Sequence, residues 1–320
     1  MRTQREAAVD LFRGAVVVLF LFLNFLFSFT PESGIPYILL HNQANTLLPG
    51  DFVAAFFAFI MGISLALSYA KRKEKGEEPA VTFQTYIKRF VLLILIGLFL
   101  DSLFVLSDLR LIWGVLQSLG VAGIVALCVL PLSERKRALA ALLLLSVYGI
   151  LLTQNHAFYD YIANSRNGGP LGALSYGAIM IFGIVAGKML KQEEGFYRNA
   201  AAWGIALAAI SLPVSMWIPY NKLLVTPSFA LITSGAAFIV LAAFKYLEEK
   251  RGFRSETLLL LGRSSLLAWI LQYPLVYYPL TFAGYGTLGF PEGFSLAVVL
   301  TLVAYLIVRY ADEKGIRFGL

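Results

Sequence analysis

Leu11-Phe12-Arg13-Gly14-Ala15-Val16-Val17-Val18-Leu19-Phe20-Leu21-Phe22-Leu23-Asn24-Phe25-Leu26-Phe27-Ser28-Phe29-Thr30 is the run that decides the fold. A bilayer-crossing helix needs about 20 mostly apolar residues, and this run meets that need with one charge, Arg13. It is too long for a signal-peptide core and no A-x-A-like site follows it, so it is expected to persist as a helix. Nine further stretches read the same way: 52–70, 86–106, 110–131, 138–153, 173–190, 200–218, 228–247, 257–276 and 294–309. The expected fold is therefore all-α, a polytopic bundle of about ten transmembrane helices forming one domain over residues 1–320. Too little chain remains for a soluble domain of ordinary size.

Composition agrees. The chain is 59% apolar and only 14% charged, where a soluble domain carries roughly 25% charged residues. The net charge of +7 is informative through its location. With ten spans and an inner N-terminus, 23 of the 26 Lys and Arg fall on the inside, leaving Arg110, Arg166 and Lys222 outside. Such an excess predicts that both termini are cytoplasmic. A multi-pass protein of the cell membrane is expected, and nucleic acid is not, because no soluble basic module exists to bind it. Cys128 is the sole cysteine, which excludes an intramolecular disulfide and a thiolate metal cluster. Inside an apolar helix it is expected to pack. No metal site, P-loop or nucleotide fingerprint is present; Gly284–Gly289 reads as a loop.

The outward connections, 31–50, 154–172, 219–227 and 277–293, are richer in Gly, Pro, Asn and aromatic residues than the short charged inner ones. Loops of that kind often hold binding groups. His41 lies in the first of them, ten residues before Asp51, with Asn24 late in the first span. His41 is either an interfacial histidine bonded to backbone or a proton-transfer group, the role imidazole suits near neutral pH. Asp51 either caps the second span or orients the imidazole. His156 reads as a solvated loop residue.

Arg13 and Asn24 are eleven residues apart, close to three turns, so they share a helix face roughly 16 Å apart along its axis. Asp10 opens the same helix as a cap for its N-terminus. Arg110 and Gln117 share a face of the fourth stretch with Gly114 between them. Arg110 either binds ligand or pairs with Asp108 or Asp101. Asn221 and Lys222 follow the seventh stretch, and Arg263 sits at the inner end of the ninth, suited to an anionic ligand or a lipid phosphate. Together these residues line a path from a basic inner end to a histidine at the outer end.

Several segments, in order, resemble the heparan-α-glucosaminide N-acetyltransferase family of transmembrane acyltransferases. They are Val9-Asp10-Leu11-Phe12-Arg13-Gly14 with Asn24; His41 with Asp51; Phe56-Phe57-Ala58-Phe59-Ile60-Met61-Gly62-Ile63-Ser64; and Leu109-Arg110-Leu111-Ile112-Trp113-Gly114-Val115-Leu116-Gln117. Gly183-Ile184-Val185-Ala186-Gly187, Tyr220-Asn221-Lys222-Leu223-Leu224-Val225-Thr226-Pro227-Ser228-Phe229 and Leu261-Gly262-Arg263-Ser264-Ser265-Leu266 continue the series. The resemblance implies transfer of an acetyl group from cytoplasmic acetyl-CoA, as cosubstrate, to a glycan or amino-sugar acceptor across the membrane. It implies that His41 is the catalytic histidine with Asn24 and Asp51 beside it. The chain departs from the family at Ser118, where arginine is frequent, and at Gln43 and Ala44, where an aromatic residue is frequent. Heparan is accordingly not taken as its acceptor.

On this reading His41 is the base, Asn24 a donor to the developing oxyanion and Asp51 the group that holds the imidazole. The donor's phosphates fall to Arg13 and Arg263, with Arg110, Gln117, Asn221 and Lys222 as further ligand contacts. Membrane lipid is an expected partner and a homodimer is allowed. The rival class is a proton-coupled transporter or flippase of a glycan or lipid-linked precursor, which commonly shows internal repeats or paired broken helices. No repeat is visible in the chain.

Overall fold

The computed structural model describes residues 6–41, 45–102, 112–192, 194–283 and 287–316. Every regular element among them is helical: α1 (Ala7–Phe29), α2 (Phe52–Glu74), α3 (Pro79–Ser102), α4 (Val115–Leu127), α5 (Glu134–Gln154), α6 (His156–Ala163), α7 (Gly169–Gln192), α8 (Phe196–Trp217), α9 (Pro227–Arg251), α10 (Glu256–Arg263), α11 (Ser265–Gln272), α12 (Tyr278–Ala283) and α13 (Phe290–Glu313). Eight of these, α1, α2, α3, α5, α7, α8, α9 and α13, are long and apolar enough to cross a membrane. Helices satisfy their own backbone polar groups, which is why hydrocarbon admits them. The chain is an all-α, multi-pass integral membrane protein.

Two of the ten expected spans depart from straight full-length helices. The ninth is bent by 79° where α10 meets α11. Ser264 has φ −111° and ψ 27° there, within Gly262-Arg263-Ser264-Ser265, and glycine and serine neighbours are a recognised cause of helix kinks. In the fourth, α4 has 13 residues, about 20 Å of helix at 1.5 Å per residue. It gives way to turns over residues 128–131, ending at Pro131; the residue before a proline is disfavoured in helical conformation. Cys128 follows α4 and is exposed, so it does not pack as expected. The outer segment 154–172 also holds a short helix, α6, whose N-terminus is capped by the Asn155 side chain accepting from Phe158 N–H at 3.0 Å.

The chain divides into two compact units. One comprises residues 1–41, 48–53 and 243–320. Its axis is the crossing of α1 with α10, where the backbones touch. A Cβ on Gly14 would lie 2.0 Å from the Leu258 carbonyl oxygen, and one on Gly262 would lie 2.0 Å from that of Asp10. Between spans, close approach replaces the hydrophobic drive that lipid removes, so only glycine fits such positions. Further along α1, Phe20 stacks on Trp269 with ring centroids 3.9 Å apart, and Phe22 meets Phe294 edge-on at 5.2 Å. The C-terminal end of α1 is tied by Leu288 N–H to the Phe29 carbonyl at 2.8 Å.

The other unit comprises residues 42–47 and 54–242. Its central helix is α7, buried at every residue from Ser175 to Gly187. A helix apolar all round is the kind that other helices surround. Gly183 and Gly187 form a G-x-x-x-G pair against α2: a Cβ at Gly183 would lie 2.0 Å from the Phe59 carbonyl oxygen, and one at Gly187 2.8 Å from that of Ile63. From the facing side, a Cβ on Gly62 would lie 2.0 Å from the Met180 carbonyl oxygen.

Candidate active site

The polar groups of the first unit are arrayed along α1. At its N-terminal end Arg13 donates from Nη1 to Asp10 Oδ1 at 2.9 Å and to the Gly262 carbonyl at 3.1 Å. Asp10 is buried and pairs with Arg13; it does not cap the helix as expected, because α1 starts at Ala7 with Glu6 in the N-cap position. The glycine-permitted crossing with α10 brings the Gly262 carbonyl within reach. Arg263 follows Gly262 and is exposed. Its Nε donates to the Leu259 carbonyl at 3.1 Å, and it forms no ion pair among the described residues.

About three turns further along the same face, Asn24 donates from Nδ2 to Gln272 Oε1 at 3.0 Å. Gln272, at the end of α11, is 2% exposed. It precedes a π-helical segment, Tyr273–Tyr277, in which Tyr278 N–H reaches back to the Tyr273 carbonyl. Pro274 lacks the N–H that would continue the α-helical ladder. The Asn24 carbonyl accepts from Ser28 Oγ at 2.7 Å.

His41 lies over the next part of α1. Its ring stacks on Phe27 with centroids 4.6 Å apart and planes 20° from parallel. Phe27 is three residues beyond Asn24, close to one turn and about 4.5 Å of rise. On another side is Gly50, where a Cβ would come 3.2 Å from His41 Nδ1 and 2.9 Å from Leu23 Cδ1. Any larger residue at 50 would press on the imidazole. Nδ1 lies 3.5 Å from Asp51 Oδ1. Asp51 is 0% exposed, and its other oxygen, Oδ2, accepts from Leu48 N–H at 2.9 Å. One oxygen of Asp51 closes the turn that opens α2, and the other faces the histidine. The His41 side chain keeps 35% of its surface exposed. With Nδ1 toward the carboxylate, Nε2 is the nitrogen on the far edge of the ring. A buried carboxylate facing one imidazole nitrogen orients the ring and leaves the other nitrogen toward a substrate.

The structure thus collects His41, Asp51, Asn24, Arg13 and Arg263 in one unit. Gln117, Asn221 and Lys222 belong to the other, and Arg110 lies outside the described residues. Gln117 is 0% exposed and donates from Nε2 to Asp101 Oδ2 at 2.9 Å and to the Ile112 carbonyl at 3.2 Å. Gly114 lies against both side chains, where a Cβ would come 2.2 Å from Asp101 Oδ2. Asn221 organises a turn: its Oδ1 accepts from Leu224 N–H at 2.9 Å while its own N–H donates to Thr226 Oγ1 at 3.0 Å. Lys222 sits in that turn, and its carbonyl accepts from Val225 N–H at 3.3 Å. His156 is exposed in the first turn of α6. Among the described residues no three His, Cys, Asp or Glu side chains are grouped to hold a metal ion.

Sequence reasoning missed Gln272 and Phe27. A signal existed for the first: Gln272 is the one amide within Leu266–Val276, directly before Tyr273-Pro274. Phe27 is one of six phenylalanines between Phe12 and Phe29, and nothing in spacing alone distinguishes it.

Comparison with known proteins adds an identity to this geometry. The family model described as "Heparan-alpha-glucosaminide N-acetyltransferase, catalytic" matches residues 5–217, which include Arg13, Asn24, His41 and Asp51; Arg263 and Gln272 lie beyond the match. The mouse protein named heparan-alpha-glucosaminide N-acetyltransferase is 35% identical over 122 residues, covering 37% of this chain and 18% of the mouse protein. With a match that spans the helix carrying Arg13 and Asn24 and the segment from His41 to Asp51, the chain belongs to the heparan-α-glucosaminide N-acetyltransferase catalytic family.

Proposed function

We propose that the chain is a transmembrane acyltransferase that moves an acetyl group from cytoplasmic acetyl-CoA to an amine of a glycan or amino sugar on the outer side of the membrane. The observation that carries this reading is the setting of His41. Its imidazole is stacked on Phe27 and backed by Gly50, with Nδ1 toward a fully buried carboxylate. A ring oriented in this way is suited to a general base. The family and the name of the mouse relative support an amine acceptor.

In the proposed reaction the acceptor nitrogen attacks the thioester carbonyl and loses its proton to His41 Nε2. An N–H of Asn24 donates to the carbonyl oxygen as it becomes anionic, the interaction that most lowers such barriers. Collapse of the intermediate breaks the C–S bond, and CoA leaves as the thiolate, taking the proton from the imidazolium. Asp51 holds the imidazole and stabilises its protonated form. A two-step route through an acetylated His41, and a hydroxyl acceptor, use the same residues.

The inner-end cations would receive the donor's phosphates. Arg263 is the better placed of the two, since Arg13 is already neutralised by Asp10. Gln117, Asn221, Lys222 and Arg110 are proposed as further ligand contacts, membrane lipid as a partner, and a homodimer as an allowed assembly. The excess of inner Lys and Arg supports termini on the cytoplasmic side.

One observation favours the transporter reading, the 79° break between α10 and α11. That class pairs broken helices at corresponding positions in two halves; among the described residues one such break is present. Ligand-dependent melting separates the two. Acetyl-CoA at 100 times its Kd should stabilise the purified protein by about 2.7 kcal/mol, with desulfo-CoA also effective and acetate ineffective. No shift with acetyl-CoA at millimolar concentration would defeat the acyltransferase reading.

A further inference from the structure

Asn24 does not hold its own orientation. A carboxamide at the end of two rotatable bonds can present either N–H or oxygen to a substrate, and only the N–H stabilises an oxyanion. In the first unit the choice is made by Gln272, whose Oε1 accepts one N–H of Asn24 at 3.0 Å. We infer that Gln272 is a positioning residue for the acyl-transfer step, fixing the Asn24 amide so that its second N–H faces the carbonyl oxygen of the donor. This deepens the proposed function and rests on it.

Three features point the same way. Gln272 is 2% exposed at the end of a helix that is apolar from Leu266 to Leu271, where a polar side chain is costly and marks a function or a buried contact. Its position is set by irregular backbone: α11 follows the break at Ser264 and gives way to the π-helical turn at Tyr273–Tyr277. π-turns inside helices are frequent at functional sites, because they re-aim the side chains around them. Finally, the indole of Trp269, three residues before Gln272, stacks on Phe20, four residues before Asn24, at 3.9 Å. The two helices are therefore clamped about one turn from the amide pair, so the Gln272 carboxamide is presented to α1 at a fixed height.

A double-mutant cycle on the full-length protein tests this. Gln272→Met keeps the volume and flexibility of the side chain and removes the acceptor. Gln272→Glu keeps an acceptor oxygen. Steady-state acetyl transfer to glucosamine is measured for wild type, both variants, Asn24→Ala, and Asn24→Ala combined with Gln272→Met. Gln272→Met should lower kcat by about 10- to 100-fold, the order of a misplaced catalytic group, with KM for acetyl-CoA and acetyl-CoA-dependent melting unchanged. Gln272→Glu should recover part of that loss. In the Asn24→Ala background Gln272→Met should have no further effect. An equal loss in both backgrounds, a changed KM at constant kcat, or a Gln272→Met variant as fast as wild type overturns the inference. A wild-type protein without transferase activity, or an Asn24→Ala variant with full kcat, defeats the proposed function itself.

Discussion

α1 and α7 are both buried spans that cross a neighbour through glycine, yet they differ in what else they carry. α7 is enclosed from Ser175 to Gly187 and, within that stretch, apolar beyond Tyr176, and its G-x-x-x-G pair brings it against the backbone of α2. α1 makes the same kind of crossing with Gly14 and adds Asp10, Arg13, Asn24 and Ser28, each held by a named partner. Burial and close packing therefore do not distinguish a structural span from one bearing a site. A series of partnered polar groups along one face marks α1 as the candidate, because each costs free energy in hydrocarbon unless partnered.

The largest effect should come from His41→Ala, which removes the base. Acetyl transfer should fall by about 10²–10⁴-fold while acetyl-CoA binding, read by isothermal titration, stays within about twofold of wild type. Asn24→Ala should cost about 10²–10³-fold in kcat, as loss of one oxyanion donor does. A variant of α1 that lost binding rather than turnover would mean that the helix serves ligand anchoring alone.

Arg13 and Arg263 sharpen the comparison further. Arg13→Ala leaves the Asp10 carboxylate buried without this cation, and breaking such a pair typically costs about 3–5 kcal/mol. Its melting temperature should drop markedly. Arg263→Ala should leave the melting temperature of the unliganded protein unchanged and weaken acetyl-CoA binding. Equal melting behaviour in the two variants would show that the Arg13–Asp10 contact is not structural.

In α7 the smallest expected effect is on chemistry. Gly183→Ala places a methyl 2.0 Å from a backbone oxygen, so α2 and α7 must separate; overpacking of this kind costs about 1–3 kcal/mol. The variant should melt earlier yet retain the wild-type kcat below its transition. A lowered kcat at full stability would move α7 from scaffold to site.

Much of the fold is legible in the chain because a membrane span is announced by length and apolarity alone. That logic placed α1, α2, α5, α7, α8, α9 and α13 within about four residues at each end, and it found α3 with its start seven residues late. It failed where backbone chemistry overrides hydropathy: at Ser264, where the ninth stretch breaks, and after Leu127, where α4 ends short of Pro131. Cys128 was misread for the same reason, since it lies past the helix end.

In the candidate site the shared face of Arg13 and Asn24 follows from their spacing along one helix, whereas the pairing of His41 with Asp51 is one of two readings of each residue and is otherwise implied by the family resemblance. Gln272 was not legible, because it meets Asn24 across 248 residues of chain. Phe27 was not either, since any of several phenylalanines could have received the imidazole. Long-range contacts between apolar helices leave no periodic trace in either partner.

His41 with Asp51, packed against Phe27 near the C-terminal end of α1, is the proposed acyl-transfer centre. It is tested most directly by sealing [¹⁴C]acetyl-CoA inside proteoliposomes of known orientation and adding glucosamine outside. Wild type with its cytoplasmic face inward should label the external amino sugar, and His41→Ala should not, although it still binds acetyl-CoA. External product formed at the wild-type rate by His41→Ala would contradict the account.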